Sequence, residues 1–254
     1  MCAANLVYIL SIAITLFPFY GQNIKNGVIY SGVLILIFTA ILLKNQLKSR
    51  SWPALIIASL VVIIFCSFAY VHIKQNNTWL SLIADAKVAF QTDEYDHWKY
   101  GGAKGYPNNE RGQMVSITNY ERIAWLKIGL ALAPKKPWGY GLIQDSFGKL
   151  AKLSYPDSNL THSHSGWLDI LLGLGLPGFL MIMIALGLGV KNVLVLEPPW
   201  GAMGVWALMA LLFLFLTTEA SNKIEFDQLI FWIALVNSLW ILSFVPHPAK
   251  AILS

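Results

Sequence analysis

Trp52-Pro53-Ala54-Leu55-Ile56-Ile57-Ala58-Ser59-Leu60-Val61-Val62-Ile63-Ile64-Phe65-Cys66-Ser67-Phe68-Ala69-Tyr70-Val71 contains no Asp, Glu, Lys or Arg. A helix needs roughly 20 mostly apolar residues to cross a hydrocarbon core of about 30 Å, and this run supplies them. The chain around it has the same bias. It is 56% hydrophobic and 12% charged, with a mean hydropathy of +0.58, where a soluble domain carries roughly 25% charged residues. The missing charge is concentrated in windows, while the middle third of the chain is ordinary polar sequence.

Working outward from 52–71, we read an all-α membrane bundle of about six spans: Ala3 to Tyr20, Gly27 to Leu43, Trp52 to Val71, Trp167 to Val190, Trp200 to Leu216 and Leu229 to Val245. Trp or Tyr stands near many of these ends, as interface anchors do. Nothing before Leu6 is charged, so the first stretch lacks the basic n-region of a cleaved signal and reads as a retained span. Three domains follow: three spans in 1–71, a loop domain in 72–165 and three spans in 166–254.

Short loops set the orientation. Lys44, Lys48 and Arg50 after the second span place that loop in the cytoplasm by the positive-inside rule. Both termini, Lys191 and Lys250 then fall inside. Lys25, Lys223 and the whole segment His72 to Ser165 fall outside. That segment reads as folded. Thr78 to Gln91 has apolar residues at Leu80, Ile83, Ala84, Val88 and Ala89, an amphipathic helical pattern. A Gly-, Pro- and Asn-rich loop covers Gly101 to Gly112. Ser116 to Ala133 is a second helix stopped by Pro134, followed by the turn cluster Pro137-Trp138-Gly139-Tyr140-Gly141 and a polar stretch ending in Thr161-His162-Ser163-His164-Ser165.

The net charge of +5 lies at span ends and in the polar segment, with no basic-aromatic module for nucleic acid. Cys2 and Cys66 offer neither a disulfide framework nor metal spacing. Within the spans the one charged residue is Asp169, so an ion-coupled transporter or pump, which needs ionisable groups in its spans, is disfavoured. Chemistry is expected at the outer edge, where His162, His164, Ser165 and Asp169 meet Arg122 of the loop helix, Lys25 after the first span and Glu219 after the fifth. Arginine and lysine there suit a lipid-borne phosphate ester, and a neutral imidazole can take a proton from an attacking hydroxyl. His162 and His164 at i and i+2, without a cysteine or carboxylate cluster, are a weak metal pattern, and no metal or cofactor is expected. Gly173, Gly175, Gly178, Gly187 and Gly189 most simply allow close helix packing.

His164-Ser165, nine residues, then Gly175-Leu176-Pro177-Gly178 resembles the signature of the O-antigen ligase and polymerase superfamily: His, a small polar residue, nine positions, Gly-x-x-Gly. Taking His162 as the start misplaces the last glycine, so the motif selects His164. Glu121-Arg122-Ile123-Ala124-Trp125 and the later Lys136-Pro137-Trp138-Gly139-Tyr140-Gly141 are similar to the family's arginine-bearing loop helix and its Pro-x-Gly-x-Gly turn. Family members usually have about twice as many spans, so the chain resembles their C-terminal half, with further N-terminal helices expected from the rest of a longer protein. Where relatives carry a second outward arginine, this sequence offers Lys25, with Arg111 as another source of a guanidinium.

The resemblance implies inverting, metal-independent transfer of a glycan from an undecaprenyl-pyrophosphate carrier, in the bacterial inner membrane with the site facing the periplasm. The leading expectation is an O-antigen ligase with a lipid A-core acceptor. His164 is then the base or polarises the acceptor hydroxyl. Arg122 offsets pyrophosphate charge, and Glu219 orients the histidine or a sugar. Lys25, Arg111, Ser165 and His162 are expected to bind substrate. A pilin-type O-oligosaccharyltransferase or an O-antigen polymerase would use the same donor with another acceptor. A non-catalytic membrane subunit or transporter is the reading from a different class.

Overall fold

The computed structural model describes residues 25–49, 52–141, 143–196, 200–221 and 223–242, with Phe17 and Gly21. Apart from Phe17, the expected first span lies outside the described residues, as do the end of the sixth and Lys250. Among the described residues there are eight α-helices, two short 3-10 turns and no strand: α1 Lys25–Ser49, α2 Trp52–Gln75, α3 Asn77–Phe90, α4 Ile117–Leu132, α5 Ser146–Ser154, α6 Gly166–Val193, α7 Trp200–Thr217 and α8 Lys223–Leu242. The all-α expectation holds.

Among the described residues, two helices are long and apolar enough to cross a membrane, Leu55–Gln75 and Gly166–Val193; Lys25–Ile37 and Met203–Thr217 are shorter apolar segments. The full set of six spans is therefore not established. α8 starts earlier than the charge-free window suggested, because its first turns carry Glu225 and Asp227. The chain divides into two compact units, 1–83 and 84–254.

In the first unit α1 and α2 pack together through Gly32, where an added Cβ would sit 3.0 Å from the Phe65 ring. Val28, Ile35 and Ala58 are buried, while Trp52, Ile56, Leu60 and Ile63 on α2 are exposed. An apolar face of that size has no place in water and suits lipid, where only a helix satisfies its own backbone. Asn76 caps α3, its Oδ1 accepting from the Thr78 backbone N–H at 3.0 Å, the N-cap bond asparagine favours.

The second unit has two cores. One joins Val88 and Ala89 of α3, Trp98 of the 3-10 turn Asp96–Tyr100, Tyr120, Trp125 and Ile128 of α4, and Phe147 and Leu150 of α5 to Leu168 and Leu172 of α6. The loop helices thus fall where the apolar period placed them. Helix α5 falls in a stretch read only as polar. Its short Phe147, Leu150, Ala151 stripe is buried but too brief to stand out. The glycine-rich loop is tied down by the fully buried Asp85, which accepts from Asn109 Nδ2 at 2.9 Å and Asn119 Nδ2 at 2.8 Å. The second core is made by α6, α7 and α8 around Ile170, Leu186, Leu208, Phe215 and Leu229.

Helix α6 is interrupted. Gly175 has φ 69° and ψ −176°, a conformation essentially confined to glycine. Into the break fits the 137–141 turn. Tyr140 N donates to Leu172 O at 2.8 Å, Gly141 N to Gly173 O at 2.9 Å, and Leu176 N to Pro137 O at 2.8 Å. A Cβ on Gly139 would lie 2.3 Å from Gly175 N, and one on Gly175 would lie 2.3 Å from Trp138 C. Backbone meets backbone there, and only glycine permits it. Pro177 falls in the first turn after the break, where its missing N–H costs little.

The halves of α6 cannot be collinear. Gly166 N donates to Thr218 O at 2.7 Å, and Val193 abuts Gly204. Helix α7 covers about 21 Å between residues 204 and 218, whereas a straight helix from 166 to 193 would run about 40 Å. The break turns the first half aside, and that half carries the polar segment 161–165 to the end of α7. Gly189 does pack as expected, against Asn237 and Leu208.

Candidate functional site

Three pieces of backbone meet at the start of α6. The polar segment 161–165 lies on α5 because Gly148 has no side chain: its N–H donates to Thr161 O at 3.2 Å, and a Cβ would sit 2.5 Å from Leu160 O. The α7–α8 turn supplies Glu219. Helix α4 supplies Arg122 and Trp125, one turn apart on one face.

At the centre, His164 Nδ1 lies 2.7 Å from Glu219 Oε1, and His162 Nε2 lies 3.5 Å from the same oxygen. The His164 ring stacks on Trp125 with centroids 5.1 Å apart and planes at 28°. Its centroid is 4.8 Å from that of His162. Trp125 is itself fixed by its indole N–H donating to Trp98 O at 2.9 Å. His162 Nδ1 is 2.9 Å from the Thr161 hydroxyl.

His164 has φ 56°, a left-handed backbone uncommon outside glycine. The structure around it must hold it there. Ser163 Oγ lies 2.9 Å from Ser165 O and 2.7 Å from Asp169 Oδ1, and it accepts from Ser165 N at 3.1 Å. Asp169 Oδ2 accepts from Ala220 N at 3.1 Å.

Burial holds the His164 imidazole below the ordinary value of 6.5. The Glu219 carboxylate opposes this, and His162 and Arg122 reinforce it. The ring is thus biased toward its neutral form near pH 7. With Nδ1–H donated to Glu219, Nε2 is the acceptor. This is the geometry of a general base oriented by a carboxylate.

His162, His164 and Glu219 also present three ligand atoms within 4.8 Å of one another. The 2.7 Å between His164 and Glu219 is a hydrogen-bond separation. Two ligands on one zinc, each at about 2.0–2.1 Å, would stand farther apart.

Of the expected site residues, the structure gathers His164, Glu219 and His162, with Arg122 near enough for its charge to act on His164. Ser165 is buried at the N-cap of α6, where its backbone N–H donates to Ser163 Oγ at 3.1 Å. Arg111 is exposed on a turn shaped by Asn109, whose Oδ1 accepts from Arg111 N at 3.0 Å; among the described residues no contact ties it to the histidines. Lys25 opens α1 in the other unit. Trp125 and Ser163 belong to the cluster without having been expected. Trp125 did stand three residues after Arg122, the only hint the sequence held.

His164 thus lies on a carboxylate, its pKa held down by burial, within reach of the Arg122 charge and at the start of an apolar helix, an arrangement suited to moving a proton. Residues 10–183 match the O-antigen ligase family, and the chain belongs to that family. It is an integral membrane protein of a group that transfers glycans in the manner of O-antigen ligases and polymerases. Comparison with curated proteins and with solved structures gives no match.

Proposed function

We propose that this chain transfers a glycan from undecaprenyl-pyrophosphate to a hydroxyl of lipid A-core, with inversion and without a metal, at the periplasmic face of the bacterial inner membrane. The observation that carries the reading is the 2.7 Å contact of His164 with Glu219, made by the histidine the family signature selects.

In this reading the acceptor hydroxyl attacks the anomeric carbon and gives its proton to His164 Nε2. The anomeric C–O bond to phosphate breaks, and the pyrophosphate departs with the electron pair. Glu219 holds the tautomer and stabilises the imidazolium as it forms. Arg122 offsets the charge growing on the pyrophosphate, the kind of preorganised electrostatic aid that acts most strongly in a site with little water.

The test is a reconstituted reaction: purified protein, an undecaprenyl-pyrophosphate-linked glycan, lipid A-core and, separately, a pilin or free glycan as acceptor. Capped lipid A-core with inverted anomeric configuration, formed equally with EDTA present, supports the proposal. Transfer only to pilin or glycan moves it to the oligosaccharyltransferase or polymerase reading, and loss of transfer on chelation rejects metal independence.

A further inference from the structure

The carboxylate of Asp169 sits behind the histidine pair, fully buried, and neither substrate nor a reacting atom can reach it there. Its two oxygens go to different pieces of chain. Oδ1 lies 2.7 Å from the Ser163 hydroxyl, in the residue between His162 and His164. Oδ2 accepts from Ala220 N at 3.1 Å, next to Glu219 and 51 residues away in sequence. Its backbone carbonyl accepts from Ser146 Oγ at 3.1 Å, which fixes α5 to the same turn of α6.

The geometry points to Asp169 as the positioning residue of the site, setting the separation of His164 from Glu219 by clamping the two backbones that carry them. The strained φ of His164 makes a clamp necessary, because a residue in that region relaxes unless its surroundings over-determine it. Ser163 is the natural partner. A small hydroxyl residue reaches the carboxylate at full burial, and its oxygen also receives the Ser165 N–H, so one side chain closes the turn and ties it down. This inference rests on the transfer chemistry proposed for His164.

The test compares Ser163→Ala, Asp169→Asn and the double variant in the reconstituted transfer reaction, with His164→Ala alongside. Asparagine keeps the shape, but its amide cannot accept from both Ser163 and Ala220. A misplacement of about 1 Å lowers turnover about 10²-fold, so kcat falls by about that factor in Asp169→Asn while KM stays within about twofold. Ser163→Ala shifts in the same direction by a smaller factor. The double variant is no slower than Asp169→Asn, since residues acting through one contact are not additive. Should Asp169→Asn fail to fold, Ser163→Ala decides.

Folded variants with unchanged kcat, a loss confined to KM, or additive losses would each overturn the clamp. If His164→Ala retains full transfer, it is the catalytic reading that fails. If His164→Ala is inactive while both clamp variants turn over normally, that reading stands and the clamp alone is rejected.

Discussion

Replacing Gly175 with alanine isolates the wedge that breaks α6. At φ 69° and ψ −176° an alanine carries a strain of about 1–3 kcal/mol. Its methyl would lie 2.3 Å from Trp138 C and 2.4 Å from Gly139 N. These are backbone atoms and cannot rotate away, so the 137–141 turn must back out. Doing so threatens the bonds from Tyr140 N, Gly141 N and Leu176 N, each contributing about 1 kcal/mol net.

Losing one or two of them brings the total to about 2–5 kcal/mol, a large share of the 5–15 kcal/mol typical of a folded domain. At about 2–4 °C per kcal/mol for a chain of this size, the melting temperature falls by roughly 10 °C. Gly187→Ala is the matched control in the same helix. Nothing lies within 4 Å of its added Cβ, and exchanging helical glycine for alanine is neutral or stabilising by up to about 1 kcal/mol. Tryptophan fluorescence during heating in detergent reads both. A Gly175→Ala protein that melts with the wild type, or alongside Gly187→Ala, refutes the wedge.

Three further outcomes follow from the site. Glu219→Gln removes the charge that opposes the depression of the His164 pKa, so the acid limb of the kcat profile moves to still lower pH while the plateau drops; a limb moving upward contradicts the pairing. Arg122→Lys keeps the charge but loses the guanidinium fork, so it retains part of the transfer rate that Arg122→Ala loses; equal rates in both and in the wild type remove Arg122 from the site. Trp125→Phe keeps a ring on His164 and loses the bond to Trp98 O, costing about 1 kcal/mol, whereas Trp125→Ala opens a core cavity costing about 3–5 kcal/mol. Denaturant unfolding checks that order.

The membrane character was legible because charge-free windows such as 52–71 leave few alternatives. Helices α3 and α4 were legible because their apolar period persists over several turns. Helix α5 was hidden by its nine-residue length, too short for a period to rise above polar surroundings. Gly175 was read as a packing glycine because a letter in an apolar window does not show its φ. Its true partner, Gly139, lies far upstream in what looked like an independent turn, and the two motifs prove to be halves of one contact. His164 was singled out by the resemblance to the family signature, and Arg122 by the likeness to the family's arginine-bearing loop helix. The link between Asp169 and the turn bearing Glu219 spans 51 residues and is created only by folding. The contact of Glu219 with His164 likewise forms only on folding, although both were expected at the same outer edge.

The most direct test of the account is His164→Ala in the purified, correctly melting protein, assayed with a lipid-pyrophosphate-linked glycan and its acceptor. General base catalysis contributes about 10²–10⁴-fold, and the transfer rate should fall by at least the lower figure with the fold intact. Transfer at the wild-type rate by that variant would contradict the account.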